Sequence, residues 1–204
     1  MFLRNYYNLM ARLSIGREKI LSSDAGFGSN SLNIKCTDGH LLTGGWHNST
    51  YVGGDLPIIL DRGFTTDNYP GILLGTGNEP VTFNDYKLAT WLTNGFETSI
   101  VGGSDYLYDE VSNKFSGSSK FTLSNTSKEN IILREYGIGC LAFESGGDSR
   151  KNGLFLIFRE LIEPYTLEPS ESVNLILNVS YTMPTIDESG NVVAGSQAYG
   201  LAIE

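Results

Sequence analysis

The clearest regularity in the chain is an alternation near its C-terminal end. In "SVNLILNVSYT", Val173, Leu175, Leu177, Val179 and Tyr181 alternate with Ser172, Asn174, Asn178, Ser180 and Thr182; only Ile176 interrupts the polar face. Successive side chains of a strand point to opposite faces, so this segment predicts a strand with one face on a core. "SKFTLSNTS" repeats the alternation with Phe121 and Leu123. "GLFLIFRE" is apolar from Leu154 to Phe158, as in a strand covered on both faces. "ENIILREYGIGCLAFE" predicts another long strand, in which Gly137 and Gly139 mark a bulge or a close backbone approach. Turn clusters at 145–153 ("SGGDSRKNG") and 163–172 ("EPYTLEPSES") separate these runs. Several short strands at such spacing predict a mainly β fold, an antiparallel β-sandwich of jelly-roll-like kind.

The N-terminal part follows another pattern. Within residues 1–21, Phe2, Leu3, Tyr6, Leu9, Met10 and Leu13 recur at near-helical spacing, which predicts a short helix or an arm. Residues 22–70 are dense in Gly, Ser, Thr, Asn and Asp, which predicts long loops and short strands. Residues 71–183 form the expected β-sandwich core, and residues 184–204 an extended C-terminal tail, all within one domain. In "GILLGTGNEPVTFNDYKL" (71–88), Ile72, Leu73 and Leu74 read as a buried strand, after which Gly75, Gly77 and Pro80 turn the chain. Asn84 or Asp85 is then expected to cap a short helical turn carrying Tyr86, Leu88 and Trp91 back onto the sheet.

Composition narrows the function. The chain has 204 residues, 18% of them charged, with a net charge of −9. Lys and Arg are scattered, so the basic stripe of a nucleic-acid binder is missing and no direct nucleic-acid partner is expected. The apolar runs are all far shorter than the roughly 18 residues of a spanning helix, so no membrane anchor is expected. Cys36 and Cys140 read as free thiols, with a disulfide as the alternative.

Candidate chemistry is thin. Gly75 and Gly77 resemble the start of a phosphate loop, but Asn78, Glu79 and Pro80 follow, and the chain contains no Gly-Lys pair. Gly137-Ile138-Gly139-Cys140-Leu141-Ala142 fits a dinucleotide fingerprint in form, yet a turn-forming segment follows where a helix is required. Cys36, His40 and His47 have the residue types of zinc ligands, but C-x3-H-x6-H lacks the close pairing of zinc motifs. Asp55, Asp61 and Asp67 do not match a calcium loop. No catalytic, cofactor-binding or metal-binding residue is therefore assigned, and no cofactor is expected. Trp46, Tyr51, Trp91, Tyr106 and Tyr108 are candidates for stacking on sugars, or for packing in a core or an interface.

Three blocks in order carry a resemblance. They are "GILLGTGNEPVTFNDYKL", "SKFTLSNTSKENIILREYGIGC" and "LFLIFRELIEPYTLEPSESVNLILNVSYTM". Together they resemble virion structural proteins of tailed bacteriophages, of the tail, collar or baseplate type, crAss-like podophages among them. The matching positions are Gly75, Thr76, Gly77, Asp85 and Leu88; Phe121, Asn125, Thr126 and Ser127; Leu133, Glu135, Gly137 and Ile138; and Arg159, Pro164, Thr166, Leu167, Pro169, Ser170 and Ser172. Ser170 stands where the family has Gly, which predicts a different turn type there.

The resemblance covers about residues 71–183 and brings no catalytic residue with it. It implies a non-enzymatic structural subunit of a virion, assembled in the host cytoplasm. Its partners would be itself, as a symmetric oligomer or ring, and other virion proteins of the tail, portal, collar or fibre. The alternatives are a head-fibre or capsid-decoration protein and a carbohydrate- or receptor-binding module, with a glycan-degrading enzyme behind them.

Overall fold

The alternating segment near the C-terminus is a strand, Ser172–Thr182, with Val173, Leu175, Leu177 and Val179 buried. It belongs to a computed structural model that describes residues 1–8, 34–42, 71–101, 105–144, 151–193 and 195–204. The architecture is mainly β, with antiparallel pairing and a short helix at residues 4–8, in agreement with the expected class. No described helix is long and apolar enough to cross a membrane. The chain forms two compact units, each built from segments discontinuous in sequence.

The described part of the first unit comprises residues 1–8, 34–42, 71–94, 131–144 and 151–166. It opens with a small hairpin, β1 (Ile34–Lys35) and β2 (Leu41–Leu42). Its main sheet has three strands: β3 (Gly71–Gly75), then β7 (Ile131–Glu144), then β8 (Lys151–Leu167). Leu154 to Phe158 of β8 are all buried, as their unbroken apolar run requires. Leu3, Leu73, Leu88, Leu154 and Leu156 form one apolar cluster, with Val81 and Trp91 against it. Each fully buried Leu contributes about 1.5–3 kcal/mol of transfer free energy.

The outer strands of this sheet are covered on their free sides, where a bare row of backbone groups would recruit foreign strands. Along β8, Phe2 bridges Phe158, Leu3 N–H donates to Ile157 O at 2.9 Å, and Arg159 N–H donates to Met1 O at 3.1 Å. Farther along, Thr37 N–H donates to Leu154 O at 2.8 Å. The buried Asn5 ties these pieces together: its amide donates to Lys35 O and Leu156 O and accepts from Lys35 N–H. Along β3, Thr76 N–H donates to Thr90 O and Leu92 N–H to Leu74 O.

The described part of the second unit comprises residues 95–101, 105–130, 167–193 and 195–204. Its five-stranded sheet is centred on β6 (Lys114–Asn125). One side of β6 pairs β9 (Ser172–Thr182), which pairs β12 (Ser196–Ile203). The other side is shared: β5 (Asp105–Asp109) takes the first half and β4 (Phe96–Ile100) the second. The register sets Phe121 opposite Leu175 and Leu123 opposite Val173 on the apolar face. Ser116 faces Ser180 and Ser118 faces Asn178 on the polar face. A one-residue slip would exchange the two faces, so the alternation itself holds this register. A separate small hairpin joins β10 (Thr185–Ile186) to β11 (Val192–Val193).

Of the two readings of Gly137 and Gly139, close approach holds on the β3 side, where the register runs unbroken from Gly71–Gly139 to Gly75–Glu135. A Cβ on Gly137 would lie 2.6 Å from Leu156 Cδ1 and one on Gly139 2.6 Å from Leu73 Cδ1. Several other local expectations are corrected. The turn expected over 163–172 is only residues 168–171, because β8 continues to Leu167. Residues 81–92 contain no helical turn. The tail beyond Pro184 is largely built into β structure, with β12 paired to β9 along eight residues. Of the expected arm, residues 9–21 lie outside the described residues, as does most of 22–70.

Candidate functional site

Residues from all three blocks, Asp85, Glu135 and Arg159, meet at one buried side chain, that of Arg159. It sits near the middle of β8 with its side chain 3% exposed. Its Nε donates to Glu135 Oε2 at 2.7 Å, one Nη to Asp85 Oδ2 at 2.5 Å, and the other Nη to Glu79 O at 3.0 Å. Glu135, on neighbouring β7, is fully buried. Its remaining acceptor capacity is used by the backbone: Thr90 N–H donates to Oε1 at 2.8 Å and Ala89 N–H to Oε2 at 3.1 Å. Asp85 accepts from the Thr82 backbone N–H at 3.0 Å and the Thr82 hydroxyl at 2.6 Å.

Two carboxylates and one guanidinium leave one negative charge, which these backbone and hydroxyl donors offset. A buried ion pair is tolerated only with such additional hydrogen bonds. Burial works to raise the Asp85 pKa, but hydrogen bonds from Thr82 and Arg159 outweigh it and hold the carboxyl below its ordinary value. Burial likewise opposes the charge on Arg159, and its bonds to Asp85 and Glu135 more than restore it.

The glycines of the "GTG" turn follow from this arrangement. A Cβ on Gly75 would lie 2.6 Å from Glu135 Cγ, and one on Gly77 2.6 Å from Glu135 Oε1 and 2.5 Å from Ala89 Cβ. The turn must be bare because the buried carboxylate lies against it. Leu88 then packs over Gly137, where its Cδ2 is 3.1 Å from the position a Cβ would take. Asp85 thus keeps a local partner in Thr82, in a turn rather than at the start of a helix, and adds a tertiary one in Arg159. The cluster uses its charges on one another and on backbone groups, and it works as a brace across the 75–92 segment, β7 and β8.

A second hub, in the second unit, joins three more of the block residues, Asn125, Ser127 and Ser170. Asn125 is 1% exposed. Its Nδ2 donates to Glu129 O and Leu167 O, and its Oδ1 accepts from the Ser127 N–H and hydroxyl. Asn125 N–H donates to Glu171 O, and Ser170 N–H donates to Asn125 O. Ser170 has φ +65°, so the turn is left-handed at this position although the residue carries a Cβ. The expectation of a different turn type is overturned: the backbone bond to Asn125 holds Ser170 in a conformation that disfavours a Cβ.

The other sequence candidates fall apart in space or form small groups. Cys36, Asp38 and His40 come together in the β1–β2 turn, whereas His47 lies outside the described residues. Asp38 had no signal in the sequence beyond its place between the other two. Cys36 and Cys140 are both buried and not disulfide-bonded, and burial pushes the Cys140 thiol up to about 12. Trp91 is half-buried beside Gly75, and Tyr108 is half-exposed with its hydroxyl donating to Asn113. Trp46, Tyr51, Asp55, Asp61, Asp67 and the Tyr106 side chain lie outside the described residues.

The second unit also carries exposed apolar residues at one end of its sheet. Leu107, Tyr108 and Val111 lie at the β5–β6 hairpin, with Val111 98% exposed. Met183 N–H donates to Asn113 O, which brings the β10–β11 hairpin alongside with Ile186 and Val192, each 74% exposed. The polar face of the same sheet forms an open cavity of about 680 Å³, lined in part by Lys114, Ser116, Ser118, Asn178, Ser180 and Tyr199.

No protein-family model, curated protein or solved structure matches the chain.

Proposed function

We propose that the protein is a non-enzymatic structural subunit of a tailed-phage virion, part of a tail, collar ring or baseplate, acting through protein–protein assembly. The observation that carries this reading is where the resemblance residues go. Gly75, Gly77, Asp85, Glu135 and Arg159 are spent on the Arg159 brace, Gly137 on the packing of Leu88 and Leu156, and Asn125, Ser127 and Ser170 on the Asn125 hub. Such a motif maintains a scaffold and leaves no group facing a substrate. The exposed apolar hairpin ends support the assembly half of the reading, since exposed apolar patches mark interaction sites. The expected partners are further copies of this chain and other virion proteins.

The experiment is cryo-electron microscopy of the particle, with mass spectrometry of purified virions. Finding the chain in stoichiometric, symmetric copies supports the reading. Its absence from virions, together with a purified protein that associates with no virion protein, overturns it.

One observation favours a second reading, a carbohydrate- or receptor-binding module: the open polar cavity over Ser116, Ser118, Asn178 and Ser180. Hydroxyl and amide groups in a shallow concavity suit sugar hydroxyls. Glycan-array binding lost on Asn178→Ala would favour it, and a blank array removes it.

A further inference from the structure

We propose that Cys36 and His40 hold a zinc-type divalent cation in the β1–β2 turn, with Asp38 orienting the imidazole. Cys36, Asp38 and His40 each place a ligand atom within 4.8 Å of the others. Ligands of a tetrahedral zinc, at about 2.0–2.3 Å from the metal, stand roughly 3.3–3.8 Å apart. The 4.8 Å bound exceeds this spacing by at most about 1–1.5 Å, which a five-residue turn on a two-stranded hairpin can close.

The turn is built to hold these groups. Cys36 N–H donates to His40 O and Gly39 N–H to Cys36 O, and Gly39 takes the left-handed φ of +93°. The alternation C-x-D-x-H then gathers the three side chains. His40 N–H and Nδ1 both engage Asp38 Oδ1, the ring nitrogen at 2.5 Å. A carboxylate on one imidazole nitrogen is the usual partner of a metal-ligating histidine, fixing the tautomer that leaves the other nitrogen's lone pair free.

That other nitrogen, His40 Nε2, is buried and has no hydrogen-bond partner. Buried polar side-chain atoms are nearly always paired, so an orphaned imidazole nitrogen calls for an explanation. It lies toward β8 together with the fully buried Cys36. Gly153 makes room for both: a Cβ there would collide with Cys36 Sγ and lie 3.0 Å from His40 Nε2. Sγ and Nε2 therefore both lie against the bare backbone of Gly153.

The donor chemistry selects the metal class. Thiolate and imidazole favour zinc and its neighbours over calcium or magnesium, which take oxygen ligands. Binding replaces the S–H bond of Cys36 with a metal–sulfur bond and releases that proton to solvent; no redox change is involved. The remaining coordination positions are left to water. The cation would tie the two ends of the hairpin turn together, beside the bond from Thr37 N–H to Leu154 O.

The test uses the full chain, stripped of metal with a chelator and titrated with Zn²⁺ under equilibrium dialysis, then with Co²⁺ under absorbance. The expected result is one Zn²⁺ per chain and a thiolate-to-cobalt charge-transfer band. Cys36→Ser should abolish the band and Cys140→Ala should keep it. His40→Gln should weaken binding strongly, and Asp38→Asn by about 10–100-fold. His40 is partly exposed, so its variant remains informative if Cys36→Ser fails to fold. Substoichiometric zinc, no charge-transfer band, or binding unchanged in His40→Gln would overturn the proposal.

Discussion

Arg159 on β8 donates its Nε to Glu135 on β7 at 2.7 Å, with both side chains sealed from solvent. The pair sits between two adjacent strands and behind a glycine turn; Arg159 is the cation bonded to Glu135 and divides its charge between Glu135 and Asp85. Removing one leaves a buried charge and, for Glu135, the orphaned N–H groups of Ala89 and Thr90. Glu135→Ala and Arg159→Ala should each destabilise the protein by about 3–5 kcal/mol. The double change, Glu135→Ala with Arg159→Ala, should cost less than the two single changes summed. Urea denaturation of the four proteins in a cycle measures this coupling.

Asp85 gives the brace a pH dependence. Its carboxyl is held below the ordinary value of 3.8 by Thr82 and Arg159, against the opposing effect of burial. A depressed folded-state pKa means that the unfolded chain binds the proton more readily. The resulting stability is complete above about pH 3.8 and is lost as pH falls through the lower folded value. Asp85→Asn should therefore flatten the acid side of a stability–pH curve relative to the unaltered chain. An unchanged acid slope would show that the carboxylate does not contribute.

Gly77→Ala should be destabilising although alanine is small. Its Cβ would meet Ala89 Cβ at 2.5 Å, Glu135 Oε1 at 2.6 Å and Thr90 N at 2.8 Å. Overpacking of this kind costs about 1–3 kcal/mol, and displacement of the carboxylate adds to it. Thermal unfolding reads the loss. Restored stability in Gly77→Ala with Glu135→Ala, relative to Glu135→Ala alone, would locate the clash at the carboxylate.

Ser170→Gly should stabilise the protein. Ser170 holds φ +65°, a left-handed conformation that costs an L-residue about 1–2 kcal/mol. Glycine removes that cost while losing some entropy on folding, for a net gain of about 0.5–1 kcal/mol. Asn113, at φ +51°, should gain less from the same change because asparagine tolerates this region.

Val111→Glu and Ile186→Glu test the assembly surface. Both residues are largely exposed, so the change should alter the stability of the single chain by no more than about 0.5 kcal/mol. The proposed function predicts smaller particles by light scattering coupled to size exclusion, with secondary structure unchanged by circular dichroism. An oligomer indifferent to both changes would remove this end of the sheet from the assembly interface.

The strands were legible because a period-two pattern depends only on which face of a residue meets water, a property carried locally. Val173 to Tyr181, the apolar run of β8 and the buried Ile72–Leu74 follow from it directly. β12 was hidden because Ala198, Gly200 and Ala202 are small, and its place in the sheet comes from pairing with β9. The candidate brace was legible only as a list of residue types. Glycines at 75 and 77 announced a turn, but their reason is a carboxylate 58 residues further along the chain from Gly77, at Glu135. Asp85 looked like a local cap because capping is what an isolated Asp does; a distant arginine gave it a tertiary partner as well. The turn at Ser170 shows the same thing in reverse, since local preference argued against a left-handed residue and the hydrogen bond to Asn125 prevailed. Local preferences are worth about 1 kcal/mol each, whereas burying a charge without its partner costs several. Local pattern therefore decides where strands run, and tertiary structure decides what the polar residues between them are for.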